Sequence, residues 1–199
     1  MATTRSFMPV TQVQPRRWTR DEYYQLADHG YFQEQRVELI DGEIIQMPAQ
    51  KDVHAIVVGL ANRAMNGIFG ANYWVREQLP LSLPHDSEPE PDISVVSGTP
   101  RDYLGKGHPK TAVIVIEVID TTLRFDRRRK TPLYAASGIQ DYSIINQIDM
   151  QIEVHRKPVP DPTQPHGFRY DETFTLKAGQ NIATLAKPQA PINVSDLLP

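Results

Sequence analysis

The chain of 199 residues contains no cysteine. That absence excludes structural disulfides and thiolate zinc sites, and it fits a reducing interior. No apolar run approaches the ~18–20 residues of a membrane span, and Met1 to Arg17 lacks the apolar stretch of a secretory signal. An excess of positive charge is missing too: 21 Lys and Arg against 24 Asp and Glu leave a net charge of −3. Proteins that coat nucleic acid by bulk charge are usually basic, so any nucleic-acid contact of this chain has to be local. The common mononucleotide, zinc-protease and hydrolase signatures (GxGxxG, a Walker loop, HExxH, GxSxG) do not occur. The expectation left by these absences is a cytoplasmic globular protein with one main domain, able to bury roughly 70% of its unfolded surface.

What is present is a regular alternation of short elements. Thr19-Arg20-Asp21-Glu22 is a capping box, and a helix is expected from there to about Asp28, with Gly30 near its stop. Arg36 to Ile40 alternates like a strand. Asp41-Gly42 is a two-residue hairpin turn, and Glu43 to Met47 returns. Apolar residues at Val53, Ile56, Val57, Leu60, Ala61 and Ala64 recur at helical spacing over Asp52 to Ile68. Strands are expected near Tyr73–Arg76, Leu79–Leu83, after Pro91, and over Ala112–Ile119. A helix over about Arg124–Ala136 follows, then a strand pair at Asp141–Asn146 and Gln151–His155. Pro158 to Gly167 holds four prolines and reads as a loop. The pattern predicts a mixed α/β sheet flanked by helices. It divides into a flexible arm over 1–18, a core domain over 19–157, and an extension over 158–199 packed on the core.

Chemistry points first to Glu117, a carboxylate inside the apolar β-branched run Ala112 to Ile119. Buried without a partner, it would cost several kcal/mol, so it calls for protonation, a cation or a metal ion. Asp92 opens the strand after Pro91 and can meet Glu117 if the two strands are neighbours. Oxygen ligands at strand ends suit magnesium or manganese; a turn cap for Asp92 and an arginine partner for Glu117 fit the same spacing equally well. Lys130 shares a helix face with Asp126 and Tyr134, either near such a site or in an exposed Asp126–Lys130 pair. Glu38 alternates with Val37 and Leu39, which would turn it to solvent. His54 sits beside the apolar stripe of its helix, where a structural histidine is the commoner case. Arg124 with Arg127 to Lys130 forms the strongest basic cluster, a solvated face on charge alone, or, for the arginines beside Lys130, a contact for backbone phosphates.

Taken in order, these residues resemble a known family. Arg36-Val37-Glu38-Leu39-Ile40-Asp41-Gly42-Glu43, His54, Pro91-Asp92, Ile116-Glu117-Val118, Asp126 to Tyr134 and Gly138-Ile139-Gln140-Asp141-Tyr142 are similar to the Uma-type restriction endonuclease family. That family belongs to the PD-(D/E)XK nuclease superfamily. The resemblance covers about residues 20–157. It implies a restriction-endonuclease-like α/β fold and Mg2+-dependent (or Mn2+-dependent) hydrolysis of DNA phosphodiesters, with RNA as another substrate and a homodimer as the assembly. Asp92 and Glu117 match the motif's metal ligands, and Glu38 an early glutamate that assists them. The superfamily lysine two after the acid is replaced here by Ile119, and Lys130 matches a lysine on the following helix that takes its place. His54 matches a family histidine of unassigned role. Asp120 adds a charge beside the motif, and Ser143 and Asn146 stand where a tryptophan and an aspartate are usual. The alternative is a nuclease-fold module that binds nucleic acid or protein without cutting.

Overall fold

The computed structural model describes residues 13–199. The arm expected over 1–18 lies largely outside them. Helix α1 (Arg20–Asp28) starts at the Thr19 capping box, closed reciprocally with Glu22. Strands β1 (Val37–Ile40) and β2 (Glu43–Gln46) form a hairpin of their own. Its Asp41-Gly42 turn has φ of 55° and 71°, the left-handed pair that a two-residue hairpin turn requires. Gly42 is also demanded by space, since a Cβ there would lie 2.9 Å from the Trp18 carbonyl oxygen.

Helix α2 (Asp52–Ile68) packs on the main sheet through Val57, Val58, Ala61 and Met65. The apolar spacing of this helix covers more than one face. Val53 and Ile56, expected inside, are 40% and 56% exposed, and His54 takes a buried place on the packed stripe.

The sheet has six strands: β3 (Tyr73–Glu77), β4 (Ile93–Ser97), β5 (Ile114–Ile119), β6 (Asp141–Asn146), β7 (Gln151–Pro160) and β8 (Phe168–Lys177), in that order across it. Only β5 and β6 run parallel; the other neighbours are antiparallel. A parallel pair needs a crossover, and residues 123–136 supply it. The segment expected as one regular helix comprises α3 (Leu123–Phe125), a π-helical stretch over Asp126–Lys130, and α4 (Thr131–Ala136). Pro132 accounts for the widening. It has no N–H to give Arg128, and its ring would crowd that carbonyl in a regular helix.

Alternation along β5 sorts its side chains. Ile114, Ile116 and Val118 face α2. Val115 and Ile119 face the crossover with Leu133 and Tyr134, and Glu117 shares their side by period two. The strand expected at Leu79–Leu83 is not regular; this stretch is irregular, with isolated bridges at Leu83–Ser87 and Leu39–Glu88. The proline-rich loop is shorter than expected, because β7 runs on through Pro158 and Pro160 opposite β8. The tail returns through β9 (Asn181–Ile182) and β10 (Ile192–Asn193), and Ile182, Val194, Leu197 and Leu198 close the core under α2. No helix among the described residues is long and apolar enough to cross a membrane.

Candidate active site

Three elements meet at the C-terminal end of β5 and enclose an acidic cavity of about 40 Å³, ample for a water or ion (roughly 10–15 Å³ is the minimum). Strand β5 contributes Glu117, 4% exposed. The crossover contributes Lys130 and Asp126, one helical turn apart and 1% and 2% exposed. The hairpin contributes Glu38, also 2% exposed. Glu38 does lie opposite Val37 and Leu39, but solvent is not what it meets. Val37 and Leu39 pack against Tyr23 of α1, and the other face of the hairpin is laid over the crossover.

Lys130 is the hub. Its Nζ donates to Glu38 Oε1 at 3.1 Å and to Glu117 Oε1 at 3.0 Å, and Asp126 Oδ1 is 3.8 Å away. The alternative of an exposed Asp126–Lys130 pair therefore does not hold. The Tyr134 hydroxyl donates to the same Glu117 oxygen at 2.7 Å. Ile119 occupies the place two residues after the acid on the same face, so the positive charge comes from the helix instead.

Burial raises the pKa of Glu117 to about 8, with Lys130 opposing it and Asp126, Asp92 and Glu38 adding to it. Burial likewise pushes Glu38 and Asp126 up against the pull of Lys130. Lys130 itself moves the other way. Desolvation disfavours its charge, but Glu117, Glu38 and Asp126 outweigh it and hold the ammonium protonated.

Asp92 lines the same cavity from the start of β4. Its Oδ2 accepts from the Val118 N–H at 2.8 Å. Strand β4 begins only at Ile93 opposite Ile116, so the Asp92 side chain continues the pairing of β5 where the partner backbone runs out. Its Oδ1 lies 3.1 Å from His54 Nε2 and accepts from Gln78 Nε2 at 3.1 Å. Burial would raise Asp92, but these bonds and the nearby His54 hold it below the usual carboxylate range. Asp120, the extra charge beside the motif, is answered by Lys51 at 2.9 Å.

Sequence reasoning missed three cavity residues. Asp126 was visible only as a partner for Lys130. Glu90, two positions before Asp92, shares its alternation, and burial and Glu38 raise its carboxyl. Arg36, two before Glu38, lies on the same side of the hairpin and also lines the cavity. The basic cluster splits. Arg127 forms a two-pronged bond to Glu153 at 2.9 and 2.6 Å, and Arg129 is bound to Glu43 and Asp41 at 3.0 and 3.1 Å. Arg124 and Arg128 stay exposed.

The cavity's donor set is oxygen, which suits a hard divalent cation. Two buried carboxylate oxygens, Glu38 Oε2 and Asp126 Oδ2, have no hydrogen-bond donor, although Glu38 Oε2 lies 3.0 Å from Lys130 Nζ. Among the described residues no three ligating side chains converge into a ready-made metal cage. Magnesium commonly takes only one or two carboxylates from a protein and completes its shell with water and phosphate oxygens, so the residues present fit it.

A mixed six-stranded sheet with an acidic cavity and a buried lysine at the end of its central strand defines a nuclease-like α/β fold. The sequence profile of the Uma2 family, described as “Putative restriction endonuclease”, matches residues 20–185, and the chain belongs to that family. The fold is similar to the crystal structure of a protein from Anabaena variabilis ATCC 29413 described as “a putative nuclease belonging to DUF820”. The two share 18% identity at a TM-score of 0.65, over 90% of this chain and 96% of that one. No curated protein matches the chain.

Proposed function

We propose that the protein is a metal-dependent endonuclease that hydrolyses phosphodiester bonds of DNA. The observation that carries this reading is the buried Lys130 ammonium, held between Glu38 and Glu117 in a cavity that Asp92 also lines. Asp92 and Glu117 would hold a magnesium or manganese ion, with Glu38 assisting. Such an ion supplies a water of lowered pKa and charge stabilisation for a phosphate. His54 and Gln78 orient Asp92, and the Tyr134 hydroxyl orients Glu117. Lys130 positions the attacking water and offsets negative charge that develops on the phosphate.

Purified protein should relax and linearise supercoiled plasmid with magnesium or manganese and not with chelator. Asp92→Ala should abolish both cleavage and manganese binding measured by calorimetry. Wild-type activity in that variant would refute the site. A second reading is a module that binds nucleic acid or protein without cutting; it is favoured by the Lys130 ammonium already neutralising Glu38 and Glu117, two of the carboxylates a metal would use. Binding of duplex with no cleavage under any divalent metal would support it.

By analogy with nucleases that pair subunits to cut both strands of a duplex, we include a homodimer in the proposal. Light scattering that gave monomer mass at high protein concentration would remove it. A cytoplasmic location is part of the same reading, and RNA enters as a competing substrate in the cleavage assay.

A further inference from the structure

Deepening the proposed nuclease reading, on which it rests, we infer that Arg36 is the residue that grips a backbone phosphate of the nucleic acid at the mouth of the cavity. Its backbone is fixed, since its carbonyl accepts from the Met47 N–H at 2.8 Å as the hairpin closes. Two residues before Glu38, it projects to the same side of the hairpin, and it lines the cavity while partly exposed.

The other nitrogen-bearing side chains at the cavity are committed. Lys130 is shared among three carboxylates, and His54 is held by Asp92. Lys51, at the start of α2, is paired with Asp120. Among the described residues the Arg36 guanidinium has no hydrogen-bond partner and no carboxylate oxygen within 4.0 Å. Its charge draws the Glu90 carboxyl down against burial.

An ordered arginine stem with an uncommitted head, beside a wall of carboxylates, fits an incoming anion. Six carboxyl side chains line this cavity, so a phosphodiester approaching it meets repulsion. A resident cation answers part of that. A planar guanidinium that can take two phosphate oxygens at once answers the rest and fixes the register of the backbone.

The test is fluorescence anisotropy with a labelled DNA duplex in chelator and in calcium, over a range of salt, beside plasmid cleavage in magnesium. Arg36→Ala should bind about tenfold more weakly, and its slope of log affinity against log salt should fall by about one, the signature of a lost phosphate contact. Arg36→Lys should recover the salt slope but not the full affinity, because an ammonium does not form the two-pronged bond. Melting curves should match wild type, since the side chain makes no internal hydrogen bond.

Unchanged affinity and salt slope in Arg36→Ala, with wild-type cleavage intact, would overturn the assignment and leave the nuclease reading standing. Weakened binding by Arg36→Ala, in a protein whose wild type does not cleave under any divalent metal, would support Arg36 and overturn the nuclease reading. A wild-type protein that bound no duplex would overturn both.

Discussion

An ammonium that is 1% exposed and touched by three carboxylates has consequences for stability as well as for chemistry. Removing one member of a buried ion cluster leaves the others uncompensated, typically at a cost of about 3–5 kcal/mol. Lys130→Met keeps the length of the side chain and deletes the charge. Urea denaturation at pH 9, above the Glu117 value of about 8, should show that variant destabilised by about 3–5 kcal/mol, because Glu38, Glu117 and Asp126 lose their shared partner. A loss below about 1 kcal/mol would mean the carboxyls are already neutral at that pH. The same residue is therefore both a catalytic candidate and a structural one, and any activity measurement on Lys130 variants needs a stability measurement beside it.

At the scale of elements, β6, β7 and β8 are tied together by an aromatic ladder on the sheet face that carries the crossover. His155 of β7 stacks on Tyr142 of β6 at 5.3 Å between ring centroids and meets Tyr170 of β8 at 5.8 Å. Its Nε2 is buried without a hydrogen-bond partner. Burial depresses its pKa to about 4, with Glu153 opposing that and Arg127 adding to it. The unfolded chain, with an ordinary value near 6.5, binds the proton first as pH falls. Stability from this ladder is thus full above about pH 6.5 and is lost as pH drops toward 4, by up to about 3 kcal/mol. His155→Phe keeps a ring and has nothing to protonate. Its denaturation midpoint should fall less between pH 7 and 4.5 than that of wild type. Parallel acid profiles would show that His155 is not held neutral.

For the whole molecule, the last strands and turns are structural rather than decorative. Val194, Leu197 and Leu198 sit in the same core cluster as Met65 of α2 and Ile145 of β6. We propose that the extension over 158–199 and the core over 19–157 melt as one unit. Leu197→Ala should then cost about 2–4 kcal/mol and lower Tm by roughly 5–15 °C in a single cooperative transition. A variant with unchanged Tm, or two separate transitions by calorimetry, would argue for an independently folded tail. The acidic cavity lies at the end of β5 and this cluster lies under α2, so the site rests on a sheet packed on both faces, which suits precise placement of charged side chains.

Features set by near neighbours in the chain were legible without the fold. The Thr19 capping box, the Asp41-Gly42 turn, the bounds of α2 and the buried run around Glu117 all depend on propensity, period and turn chemistry within a few residues. Where local signals served two outcomes, tertiary packing chose between them. The apolar surface of α2 offered Val53 and Ile56 as readily as Val57 and Val58, and the position of the sheet decided which pair was covered. Strand pairing carried β7 through Pro158 and Pro160, because β8 lay alongside and a proline at the end of such a strand gives up little. Leu79 to Leu83 had strand-like composition but found no regular partner. Glu38 alternated correctly with Val37 and Leu39, yet its burial depended on Lys130, 92 positions away. Period and spacing could nominate Asp92 and Glu117, and the family resemblance Glu38 and Lys130; only the closing of the hairpin over the crossover set Glu38 and Glu117, with Asp126, around one ammonium, because contact between residues so far apart is a property of the packed layers and not of the chain.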